Sequence, residues 1–134
     1  MIRHKLVSAL KQQFPNRFQY PESSSNLVAT CRNADPAIGE LLIYDDGDEA
    51  TLCIGEITHG HFNPYDASLT ADELASIVVR DLIGFLDKLF TDRVYLWRAK
   101  SGGAGGWRVL KDGETVPSTP PDHHAFLWCG PLKR

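Results

Sequence analysis

The segment from Thr70 to Phe90 constrains the fold of this chain more than any other. Leu74, Ile77, Val78, Leu82, Phe85, Leu86 and Leu89 recur at helical spacing, while Asp72, Arg80, Asp87 and Lys88 fall elsewhere on the wheel. Thr70 and Glu73 stand at capping-box spacing, in which each side chain satisfies an orphan N–H at the helix start. So wide an apolar stripe has to be covered, and in a chain of 134 residues only a sheet offers enough surface.

The strands of that sheet are legible on both sides of the helix. Glu40–Tyr44 and Ala50–Ile57 flank Asp45-Asp46-Gly47-Asp48-Glu49, a hairpin turn in which glycine takes the positive φ that a tight reversal demands. Leu27–Cys31 reads as a short strand, as do Arg93–Ala99, Trp107–Leu110 and Ala125–Cys129. The loops read at 21–26 and 117–124 are rich in Pro and Ser, and the glycine run 102–106 reads as a flexible hairpin connection. Ile2, Leu6 and Leu10 mark an N-terminal helix that Pro15 stops. With no repeat and no long linker, residues 1–134 are expected to form one α+β domain. Its architecture is two-layer: an antiparallel β-sheet with the N-terminal helix and the long helix packed on one face.

Composition narrows the class. A formal charge of -3 argues against a generic nucleic-acid binder, since phosphate backbones call for a basic face. No apolar run reaches a membrane span, and the first ten residues make a poor signal peptide. Three widely spaced cysteines, Cys31, Cys53 and Cys129, argue against a disulfide framework and for a reducing, cytoplasmic setting.

Two constellations are candidates for function. In Glu56-Ile57-Thr58-His59-Gly60-His61-Phe62, continued strand alternation places His59 and His61 on one face. Asp66 is then a candidate third metal ligand, and His123 and His124 further ones. The competing reading is that these histidines hydrogen-bond at a strand end, with Gly60 marking a bulge or unusual backbone angle. A catalytic reading lacks a nucleophile: Cys53 and Cys129 sit in strands, and no serine stands in a nucleophile elbow. The run Gly102–Gly106 lacks the Gly-Lys-Ser/Thr ending of a phosphate loop and leads into a strand. No cofactor is implied, and the balance leans toward a non-enzymatic chain, the alternative being a metal-dependent enzyme or metal-binding protein using His59, His61 and Asp66.

Charge and aromatic placement form the second constellation. Residues 35–56 hold seven acids and neither Lys nor Arg, while 80–111 and the first 20 residues are basic. Asp45, Asp46, Asp48 and Glu49 are candidate steering groups for a protein partner, against the plainer reading that they solvate a turn and discourage edge pairing. Tyr95 and Trp97, beside Arg93, Arg98 and Arg108, form a second candidate contact unless they pack in a small core of their own.

Ile43-Tyr44-Asp45-Asp46-Gly47-Asp48-Glu49, then Gly55-Glu56-Ile57-Thr58-His59-Gly60-His61-Phe62, then the capped helix into Val94-Tyr95-Leu96-Trp97 form a pattern over residues 40–98. That pattern resembles small uncharacterised bacterial α+β proteins, some of them similar to the immunity proteins that neutralise polymorphic toxins. The resemblance implies a non-enzymatic bacterial cytoplasmic protein with a protein partner, a toxin domain among the options. It carries over no catalytic residues.

Overall fold

The computed structural model describes residues 2–22 and 25–132; Met1, Lys133, Arg134 and, from the loop expected at 21–26, Ser23 and Ser24 lie outside the described residues. The chain runs α1 (Ile2–Gln13), β1 (Leu27–Arg32), β2 (Glu40–Asp45), β3 (Ala50–Ile54), β4 (Thr58–Phe62), α2 (Ala71–Phe90), β5 (Val94–Ala99), β6 (Gly105–Val109), β7 (His123–Leu127) and β8 (Gly130–Pro131). It is an α+β fold, as its helix and strand patterns require.

Both helices form where their apolar spacing places them. Helix α1 buries Ile2, Leu6 and Leu10 along one stripe. At the start of α2, Thr70 Oγ1 accepts from the Glu73 N–H at 3.1 Å and Glu73 Oε1 accepts from the Thr70 N–H at 3.0 Å, completing the capping box. The buried face of α2 is Ala75, Val78, Val79, Leu82, Phe85, Leu86 and Leu89. Leu74 and Ile77, expected on that stripe, are only half-buried, because the face is turned toward Val79, where α1 packs alongside. No helix among the described residues is long and apolar enough to cross a membrane.

The strands divide between two antiparallel sheets instead of filling one. The first has the order β1-β2-β3-β4, the second β6-β5-β7-β8. Helix α2 carries the chain from one to the other. The edge strands β4 and β6 lie side by side where the sheets meet. Glycine permits that approach: a Cβ on Gly60 would overlap the Trp107 ring, and one on Gly105 would overlap the Ile57 carbonyl oxygen. At the other end, buried Asn33 donates from Nδ2 to the Trp128 carbonyl at 2.6 Å, tying the sheets with a polar bond.

Three local expectations are revised. The strand read through Ile57 stops at Ile54, where Gly55 (φ +50) reverses the chain and the Ile57 N–H donates to the Ile54 carbonyl at 3.0 Å. β4 is therefore a new antiparallel strand. Gly105 and Gly106, read as loop, ladder with Arg98 and Trp97 in β6. β7 begins two residues early, at His123, and Cys129 lies in the turn after it.

One apolar core draws on all of this: α1, α2, the inward positions Leu41, Ile43, Leu52 and Ile54 of the first sheet, and Val94, Leu96 and Phe126 of the second. Each fully buried Leu or Ile contributes about 2 kcal/mol relative to exposure. The helices form one layer and the sheets the other.

Candidate functional site

The acidic hairpin tip is built as the Asp-Gly turn predicts, with Gly47 at φ +92 and the Asp46 N–H donating to the Glu49 carbonyl at 2.9 Å. Much of its charge is engaged locally. Asp45 accepts from the Gly47 N–H at 2.9 Å and from the Arg3 N–H at 3.1 Å. Asp46 accepts from Asn26 Nδ2 at 3.1 Å and from the Thr51 hydroxyl. Glu49 Oε2 lies 3.3 Å from His61 Nδ1 and has no hydrogen-bond partner among the described residues. Asp48 is exposed, with no side-chain partner among the described residues. The tip is thus a negatively charged element held in shape by its own carboxylates.

His59 and His61 share the outward face of β4, as alternation requires, with ring centroids 5.4 Å apart at 80°. Gly60 between them keeps an ordinary backbone and is there to make room for Trp107. Asp66 does not join them. It accepts from the Ser68 hydroxyl at 2.6 Å and the Ser68 N–H at 3.0 Å, bonds that hold its carboxyl below the usual carboxylate range. Among the described residues no group of three His, Cys, Asp or Glu side chains is placed to hold a metal ion. His123 and His124 part company as neighbours on a strand must: His123 stacks on Trp97 at 4.5 Å, and His124 pairs with Arg98 on the other face.

Tyr95 is not an exposed anchor. It is 7% exposed and closes a small second core with Leu110 and Ala125, flanked by Trp97 and Leu132. Two of the three arginines beside it, Arg93 and Arg108, are also occupied. Arg93 Nη2 donates to the Leu110 carbonyl at 2.9 Å and to Asp112 at 2.6 Å, and Arg108 pairs with Glu114 at 2.6 Å. Burial pushes the thiols of Cys31, Cys53 and Cys129 up, Asp46 adding to the effect at Cys53 and Asp92 at Cys129.

Two features of the surface arise from tertiary contacts that local spacing does not report. The first is an uncovered sheet face. Ladder register aligns Leu42, Cys53 and His59 in one row and Tyr44, Thr51 and His61 in the next, on the side of the first sheet facing away from the core. The second is a cleft of about 690 Å³ where the 55–58 turn meets the 99–105 segment, lined by Cys53, Glu56, His59, Arg98, Lys100 and His124 among others. Its signal was present in β5, where an arginine follows Val94 and Leu96 in the inward phase. Comparison with protein-family models, curated proteins and solved structures finds no match.

Proposed function

We propose that this chain is a non-enzymatic protein-binding module that takes a basic protein surface, a toxin domain being the partner suggested by its resemblance to bacterial immunity proteins. A bacterial cytoplasmic setting belongs to the same reading. The observation that carries it is the open face of the first sheet: half-buried Leu42, Tyr44 and Cys53, edged by His59 and His61, with the acidic tip at one end. Such a face combines apolar area at its centre with polar groups at its rim, the composition of a protein interface. The acids at the tip steer a cationic partner into register, and their internal hydrogen bonds lower the ordering cost on association.

The test is recovery of a one-to-one partner from host extract at low salt, followed by Asp48→Lys. Asp48 holds nothing in place among the described residues, so the substitution is expected to leave the melting temperature unchanged. It is expected to slow association with the recovered partner by about tenfold at low salt and less at high salt. An association rate indifferent to both Asp48→Lys and ionic strength would overturn the acidic-tip reading.

A further inference from the structure

We infer that the cleft between the two sheets is a binding site for a small phosphate-bearing anion, with Arg98 at its floor and Lys100, His59 and His124 around it. The cleft adjoins the open face, sharing Cys53 and His59 with it, and its reading does not rest on the partner proposed there.

The phase of β5 sets where Arg98 goes. Val94 and Leu96 point into the core and are fully buried, and Arg98 occupies the next inward position. Its guanidinium lies 5.9 Å from the Phe126 ring centroid. Its Nε is buried and has no hydrogen-bond partner among the described residues. A buried charged N–H without an acceptor forfeits its hydration with nothing in return, so its placement calls for an acceptor that arrives from outside. Glu56 lines the same cleft, yet no ion pair joins it to Arg98 or Lys100.

The surroundings specify the charge and size of that acceptor. Arg98 and Lys100 outweigh Glu56, and the imidazoles of His59 and His124 add donors on two sides. A planar guanidinium matches two oxygens of one oxyanion, and the surplus of donors favours a dianion over a single carboxylate. A cavity of about 690 Å³ admits more than a bare ion and suits a small molecule carrying the phosphate. The mouth is kept open by residues without bulk. Gly102 and Gly103 take φ near +80, and Gly105 passes the Ile57 carbonyl where a Cβ would not fit. The glycines here shape an entrance; the anion is held by side chains, unlike a phosphate loop at a helix start.

Titration of the ¹⁵N-labelled protein with inorganic phosphate, against chloride at matched ionic strength, tests this. Phosphate is expected to give saturable shifts at His59, Arg98 Nε–H, Lys100, Gly103 and His124, with none at the acidic tip. Arg98→Gln is expected to weaken binding at least about tenfold, the value of a hydrogen bond to a charged group. Arg98 also packs on Phe126, so Ala104→Glu provides the control. This exposed rim residue would bring a carboxylate to the mouth with the core untouched, and it should weaken phosphate equally while the melting temperature holds. Tighter binding of glycerol phosphate than of inorganic phosphate would assign a phosphorylated small molecule, and the reverse order would assign the free ion. Equal shifts with chloride, no saturation, or unchanged affinity in Ala104→Glu would overturn the site.

Discussion

The two sheets use the same kind of strand to opposite ends. In β2 of the first sheet burial alternates, with Leu41 and Ile43 fully buried and Leu42 and Tyr44 half-exposed. In β5 of the second sheet Val94, Tyr95 and Leu96 are buried in succession. The inner faces are equivalent, since both lie on the helices and share one core. The outer faces differ. The second sheet covers its own with the chain that follows β6 and β8, through Leu110 and Leu132, while among the described residues the first has no such segment. An apolar outward residue is therefore structure in one sheet and available surface in the other.

The comparison is broken most directly by two tyrosines. Tyr95→Ala is expected to cost about 3 kcal/mol, as for other large buried side chains, while Tyr44→Ala on the open face costs about 1 kcal/mol or less. Urea unfolding of the two variants measures the difference, and equal losses would mean that both outer faces are covered alike.

The seam between the sheets gives the next effect. Gly60→Ala would drive a methyl into the Trp107 ring and is expected to cost roughly 1–3 kcal/mol. In a Trp107→Leu background the added cost should shrink, because the atoms in the way are gone. A double-mutant cycle with no coupling would place the seam elsewhere.

The smallest effect sharpens what the sheets have in common. Thr70→Ala removes the α2 cap and is expected to cost about 1 kcal/mol, lowering hydrogen-exchange protection in both sheets because both rest on that helix. The Thr70 N–H and hydroxyl hold the Glu73 carboxyl below its usual range. Its folded pKa thus lies below its unfolded value. The Glu73 contribution is full above the unfolded carboxylate range and is lost as pH falls through the lower, folded value. Glu73→Gln should accordingly differ from the parent most at neutral pH and least in acid, by thermal melts across that range. A constant difference would remove the ionised cap from the account.

The parts legible in the sequence are those decided within a few residues. The capping box, the stripes of both helices, the Asp46-Gly47 turn and the shared face of His59 and His61 all follow from spacing and backbone geometry. The reversal at Gly55 was missed because alternation continues across it, and only the nearby Ile38 carbonyl shows why that residue lacks a Cβ. Asp66 looked available to the histidines because it is close in sequence, but Ser68 is closer and claims its oxygens. Tyr95 looked like an anchor because nothing local reveals that Leu110 and Leu132 will lie over it.

By itself, then, the sequence determined two amphipathic helices, antiparallel strand pairing, an acidic turn and a pattern requiring an α+β core. Helical and strand periods are properties of the chain at short range, and hydrophobic spacing reports them without reference to distant residues. Only the tertiary structure decided that the strands part into two sheets, that one outer face is covered and the other open, and that Arg98 meets His59 across a cleft. Those outcomes depend on contacts between residues tens of positions apart, where burial of the whole core selects among arrangements that local preferences leave equal.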